Sequence, residues 1–457
     1  MNTNSTRWML AAAVAALSVV GWSLSGRTAA EAQQPEAMPA VVPIPSPAIA
    51  GAGEPQLTVS SRGVLLSWVE HAGSKATLRF AERTPTGWTV PRTVASGDDW
   101  TVNGIDVPSV QRLANGSLVA SWLRKAVGGM HANSVQLSYS SNDGRTWMPS
   151  FTAHNDKRPG ERLFASLFQL DGGFGLVWLD GGAKGPATAA GSAAPQHPAQ
   201  GGDHGRGHEG GRQGHEGHQG RAGHAAPGGM GGMANMTLRS AIFSGALKQT
   251  AELSVDPRVC ECCSTATAVT SEGVLVAYRN RSDDEIRDIY VARLQEGRWS
   301  EPVPVHADNW RIPGCPVNGP ALSARGRDVA VAWYTVKEEH GHAYVAVSGD
   351  AGKSFGTPIR LDEGGSLGQV DVEMLPDGSA IATWIERVDG RSQFRARRIG
   401  QRLRSAPLTI AAATAGRTGG GLRTAHHGDE LLFAWTDVTN GTRHVRLAAA
   451  RLSSMAR

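Results

Sequence analysis

The chain has 457 residues, enough for several small domains or one large closed fold. Its 45 Lys and Arg against 41 Asp and Glu leave a formal charge of +4, too small and too scattered for a nucleic-acid-binding surface. With 57 Gly and 24 Pro but only 5 Tyr and 9 Phe, the composition suits a turn-rich all-β protein.

At the N-terminus, Arg7 precedes an apolar run from Trp8 to Leu24, and Ala30-Glu31-Ala32 has the A-x-A form of a cleavage site. Residues 1–32 therefore read as a signal peptide, with an uncleaved membrane anchor as the alternative because the run is nearly long enough to span a bilayer. Small residues dilute the run and no stop-transfer charges follow closely, which favours cleavage and a periplasmic or secreted protein starting near Gln33. No other stretch is apolar enough to cross a membrane. Residues 33–47 are Pro- and Ala-rich, a flexible segment in which Val41-Val-Pro-Ile-Pro45 has the makings of a latch strand.

From residue 48 a period emerges: an apolar strand, a Gly turn, then a strand ending in an aromatic residue followed by charge. The aromatic positions are Trp68, Trp122, Trp178, Tyr278, Trp333, Trp384 and Trp435, at spacings of 54, 56, 100, 55, 51 and 51 residues. Seven repeats follow, the long interval being an ordinary repeat with an insertion. A third strand of period-2 alternation comes after each, as in Ala76-Thr-Leu-Arg-Phe-Ala81, and then a more irregular fourth. Four antiparallel strands repeated around an axis predict a β-propeller over 48–455, of seven blades with six as the alternative, closed by the N-terminal strand.

The turns after third strands carry a motif. Ser348-Gly-Asp350-Ala-Gly352-Lys-Ser-Phe355 matches S-x-D-x-G-x-[TS]-[WF] (the Asp-box or BNR repeat), and Ser140-Ser-Asn142-Asp-Gly144-Arg-Thr-Trp147 matches with Asn for Asp. On these octets the chain resembles the sialidase-like, Asp-box propeller superfamily. That resemblance implies a substrate face built from blade-to-blade loops and second-to-third-strand loops, with the boxes on the opposite face.

The expected substrate face is decorated. Trp100, Asn103 and Asp106 lie in one blade-to-blade segment and Trp310, Arg311 and Asn318 in another, both of the form acid or amide, Trp, then Asn-Gly. Rings there can stack on a sugar while Asn and Asp bond its hydroxyls, or can plug the gap between blades. Arg279, Arg281, Asp283 and Asp284 follow the fourth aromatic strand. Sialidases resemble one another in a three-arginine carboxylate clamp and a Tyr–Glu nucleophile pair, and Arg311-Ile-Pro313 is similar to their Arg-Ile-Pro motif. Theirs opens a six-bladed ring, however, and this one comes five blades in. Tyr278 occupies a core strand position.

Cys260, Cys262, Cys263 and Cys315 fall in consecutive blade-to-blade loops and predict either two disulfides or a thiolate site for copper or zinc. The insertion in the third blade, residues 181–234, is rich in His and Gly, is expected to be disordered, and brings His204, His208, His215 and His218 as candidate metal ligands. Val259-Cys-Glu-Cys-Cys263 with Gly314-Cys-Pro-Val-Asn-Gly-Pro320 is similar to a group of exported bacterial sialidase-like proteins.

The sequence thus predicts an exported, monomeric propeller that binds a small-molecule, sugar or metal ligand at its cysteine-bearing face. It assigns no catalytic residue and no nucleic-acid or further membrane partner. The alternatives are an exo-glycosidase of sialidase type acting on acidic sugars, with Arg279, Arg281 and Arg311 as clamp, and a structural or protein-docking propeller of the cell envelope.

Overall fold

The computed structural model describes residues 38–127, 132–183, 236–400, 403–413 and 420–455. These residues form seven antiparallel sheets, meanders in chain order save for one strand of the last, and no α-helix. The innermost strands, at the ring's axis, are Ala52–Ser60, Ser109–Arg112, Gly160–Leu170, Ala266–Thr270, Ala321–Arg325, Ser366–Met374 and Arg423–His427. Seven blades, not six, make the ring. Its last blade takes its outermost strand from the N-terminal side: Val42–Ile44 pairs with Thr442–Arg451 in the register Val42↔Ala449 to Ile44↔Leu447. This is the expected latch, and it shuts the ring with hydrogen bonds between the two ends of the propeller.

Each repeat aromatic sits on a second strand and packs backwards onto the blade before it. Trp68 shares a core with Leu432 and Val445 of the last blade, Trp122 with Leu78 of the first, and Trp178 with Leu137 of the second. Tyr278, Trp333, Trp384 and Trp435 continue the series in the cores between later blades. Seven such inter-blade cores run round the molecule, so no blade buries its faces alone.

The charge after the aromatic has a physical role. Residues i and i+2 of a strand share a face. The indole N–H of Trp68, Trp178 and Trp384 accordingly donates to Glu70, Asp180 and Glu386 at 3.2, 3.0 and 3.1 Å. In the fourth and fifth blades the acceptor comes from the chain just before: Tyr278 donates to Asp256 and Trp333 to Asp308, each at 2.6 Å.

The Asp-box at 348–355 turns between a third and a fourth strand, as the repeat predicts. Asp350 accepts from Ser348 Oγ, Ser354 Oγ and the N–H groups of Lys353 and Ser354, which holds its carboxyl far below the usual range. Gly352 has φ of +77°, and a Cβ there would stand 2.6 Å from Leu275 of the neighbouring blade. The turn therefore needs glycine both for its backbone and for the close approach.

The insertion enters from Gly173–Ala183 and returns into Met236–Ser244, the second and third strands of the third blade, which pair directly as Asp180↔Thr237. His204, His208, His215 and His218 lie outside the described residues.

Glu386 tests the aromatic–acid pairing, since it accepts from Trp384, Glu363 N and Gly364 N while only 2% exposed. Glu386→Ala is expected to cost about 2–4 kcal/mol in urea unfolding, from buried donors left unpaired, and Glu386→Gln clearly less.

Candidate functional site

Strands in a meander alternate in direction, so blade-to-blade connections and second-to-third-strand loops emerge at one end of the ring and Asp-box turns at the other. At the first end the four cysteines meet. Cys260 pairs with Cys263, and Cys262 with Cys315, the Cα atoms standing 5.8 and 6.0 Å apart. The second bridge spans 53 residues and joins the entrances of the fourth and fifth blades, a constraint of ~4 kcal/mol in the loop-entropy account. Cys260 is fixed by its N–H to Arg279 O at 2.9 Å.

Around the sulfurs lies a compact ionic lattice. Arg287, 1% exposed, donates to Glu261 at 2.8 Å and Glu285 at 2.9 Å, and its Nη1 lies 3.5 Å from Cys260 Sγ. Arg281 grips Glu285 through Nε and Nη2, the shortest contact being 2.6 Å, and approaches Glu261 at 3.5 Å. The loop carrying these groups zips onto the next connection through Arg287 N to Trp310 O and Ile312 N to Glu285 O.

The sequence-predicted residues divide by what already holds them. Arg279 is 2% exposed; it donates to the carbonyls of Asn318, Arg287 and Tyr334 at 2.9, 2.6 and 2.6 Å and lies over the Trp310 ring. Burial pulls its guanidinium down to about 10. Arg311 is exposed and donates to Asp284 O at 2.9 Å. Arg279, Arg281 and Arg311 thus face different acceptors. Exposed Asp283 pairs with Arg258. Trp100 and Trp310 are each 8% exposed: Trp100 begins a short strand and stacks on Trp122, and Trp310 meets Tyr334 edge-on. Both rings fill gaps in the protein. Asn103 turns its own loop by accepting from Ile105 N and Asp106 N. Tyr278 takes the place of a core Trp.

Asp106 and Asn318 do something else, and they do it alike. Three innermost strands carry a bulge at Glu54, Phe164 and Gln369, each with φ between 52° and 57°. Asp106 accepts from Phe164 N at 2.9 Å, and Asn318 from Gln369 N at 2.8 Å. Each side chain, from the connection before one blade, thereby satisfies the bulged backbone of the next. Bulges re-aim the side chains that follow them.

Those side chains line a pocket of about 300 Å³ on the ring axis. Its walls come from innermost strands all round the ring, with Ser264 directly after Cys263 and Val317 close after Cys315. The bridge to Cys315 therefore ties two pocket walls together; a Cβ on Gly319 would be 2.1 Å from Ser264 O. Gln56, Thr58, Ser109, Gln111, Ser166 and Thr267 make the wall polar. Asp106, Asp371 and Glu373 add carboxyl groups, and Arg423 a cation. Burial pushes Asp106 up to about 7 and Asp371 to about 6; burial, helped by repulsion from Asp371, pushes Glu373 to about 8.

Asp371 and Glu373 were absent from the sequence-predicted site. Their signal is the alternation Gln369-Val-Asp-Val-Glu-Met374, in which Val370, Val372 and Met374 enter the core between the fifth and sixth blades. An innermost strand polar on its second face is a strand facing the axis.

No protein-family model and no curated protein matches the chain. Among solved structures it is similar to an α-L-arabinofuranosidase from Fusarium graminearum, with TM-score 0.44, 11% identity and coverage of 89% of this chain and 95% of that one. A Trypanosoma rangeli sialidase gives 0.42 and 10% over 82% and 57%, and an ulvan lyase 0.43 and 11% over 77% and 80%. Sialidase and glycosidase propellers are thus among its structural neighbours.

The pocket acids have a pH signature. Their protons are held more tightly in the folded chain than at the ordinary values of 3.8 for Asp and 4.5 for Glu. The folded state then binds more protons, and the stability this supplies at low pH is lost as pH rises through about 6 to 8. Urea midpoints should fall between about pH 5 and 8, and Glu373→Gln should flatten the upper part of that fall. An unchanged slope in the variant would assign the titration elsewhere.

Proposed function

We propose that this chain binds a small, hydroxyl-rich organic ligand of sugar type in the axial pocket at its cysteine-bearing face. One observation carries the reading. The pocket wall is polar: Gln56, Gln111 and Thr424, each with a side-chain oxygen that has no hydrogen-bond partner among the described residues, stand with Asp371 and Glu373 around it. Polar groups held away from bulk water are costly unless paired, so a wall of this kind favours an occupant rich in hydrogen-bonding groups. A volume of about 300 Å³ lies at the lower end of small-molecule sites. A carboxyl raised to about 8, as in Glu373, is mostly protonated at neutral pH and both donates and accepts, which suits hydroxyl groups. Arg279 and Arg281, two arms of the clamp that an acidic-sugar hydrolase would need, already have protein partners.

Calorimetric titration with a panel of neutral, N-acylated and acidic monosaccharides tests the proposal. At least one is expected to bind, and Thr424→Val and Glu373→Ala should each weaken it about tenfold or more. A panel that shows no binding, or binding indifferent to both variants, refutes it and leaves the protein-docking reading.

We further propose that the mature chain lies outside the cytoplasm, on the strength of Arg7, the apolar run after it and Ala30-Glu31-Ala32. N-terminal sequencing of protein recovered from the periplasm or medium should begin near Gln33; a start at Met1 in a membrane fraction would show the uncleaved anchor.

A further inference from the structure

The sulfurs at the mouth lie closer together than two independent bridges require. Cys260, Cys262 and Cys263 offer sulfur atoms all within 4.8 Å of one another, and Cys260 Sγ stands 3.9 Å from Cys262 Sγ although neither is the other's disulfide partner. Three thiolates around one ion at a metal–sulfur distance of about 2.3 Å stand about 4 Å apart. Cys260 and Cys263 are 1% and 2% exposed, so an ion there would be shielded from water on most sides. Arg287 Nη1 lies 3.5 Å from Cys260 Sγ, within reach of an anionic sulfur, and Arg287 Nε is buried without a partner among the described residues.

We propose that, once both disulfides are reduced, the chain binds one Cu(I) ion through the thiolates of Cys260, Cys262 and Cys263. Each bridge takes two electrons and two protons from a dithiol reductant, which leaves as its own disulfide. Binding the ion then releases the three thiol protons to solvent, and Cys315 remains as a free thiol. A soft monovalent ion matches three soft ligands beside a cationic side chain, whereas zinc would require a fourth. A small-molecule disulfide restores each bridge, taking two electrons with protons from Cys315 and solvent and leaving as two thiols, and the ion is released as its thiolate ligands are consumed. The site is separate from the axial pocket, so it stands or falls independently of the sugar reading.

The test uses the full mature chain, reduced with a dithiol, desalted without oxygen and titrated with Cu(I) against a chromophoric Cu(I) chelator. One equivalent should survive the competition, and copper X-ray absorption should show sulfur neighbours, which the alkylation pattern assigns to the cysteines rather than to Met230 and Met233 of the insertion. Alkylation followed by peptide mass spectrometry should then find Cys315 modified and the other three protected. Cys262→Ser should lose the ion; if that variant does not fold, the alkylation pattern of the unaltered chain decides. Equal modification of all four cysteines in the loaded chain overturns the proposal. So does protection of all four.

Discussion

Packing of one large ring from each blade onto the blade before it is the contact on which this molecule is built. A four-stranded sheet this small cannot bury both faces unaided, and here each aromatic of a second strand closes a core shared by two neighbours. The acid that receives the ring's N–H or O–H fixes its orientation and spares a polar atom from burial without a partner. Because the last core joins the seventh blade to the first, and the N-terminal strand seals that blade, the ring has no end from which to fray.

Closure of this kind places chemistry at the axis. The innermost strands present one face to the cores and the other to the pocket, and bulges at Glu54, Phe164 and Gln369 interrupt the ladder near its mouth. Asp106 and Asn318 meet the backbone donors that two of those bulges expose. The Cys262–Cys315 bridge then ties together two adjacent segments of wall. Poor solvation inside this rim raises both carboxyl groups, Asp371 to about 6 and Glu373 to about 8, so that Glu373 keeps its proton into the neutral range.

The arginines show how burial changes a residue's meaning. Read along the chain, Arg279, Arg281 and Arg311 with their acids look like a recognition surface. In the fold, Arg279 spends its donors on three main-chain carbonyls and Arg281 on Glu285. They brace the loops that carry the cysteines. Trp100 and Trp310 make the same point, their rings occupied by Trp122, Tyr334 and Arg279.

What the sequence determined by itself is the set of features that repeat. Aromatic spacing, period-2 alternation and the Asp-box octet are local and periodic, so they are legible in one dimension, and they led to seven blades, the latch and the face on which the cysteines gather. Only the tertiary structure decided which groups are free. Whether a guanidinium or an indole has partners depends on carbonyls and rings that may be dozens of residues away, as Tyr334 is from Arg279. The pocket acids were hidden for the same reason: Asp371 and Glu373 look like ordinary solvent-facing strand positions until closure of the ring turns that face inward, where water is scarce and a carboxyl keeps its proton.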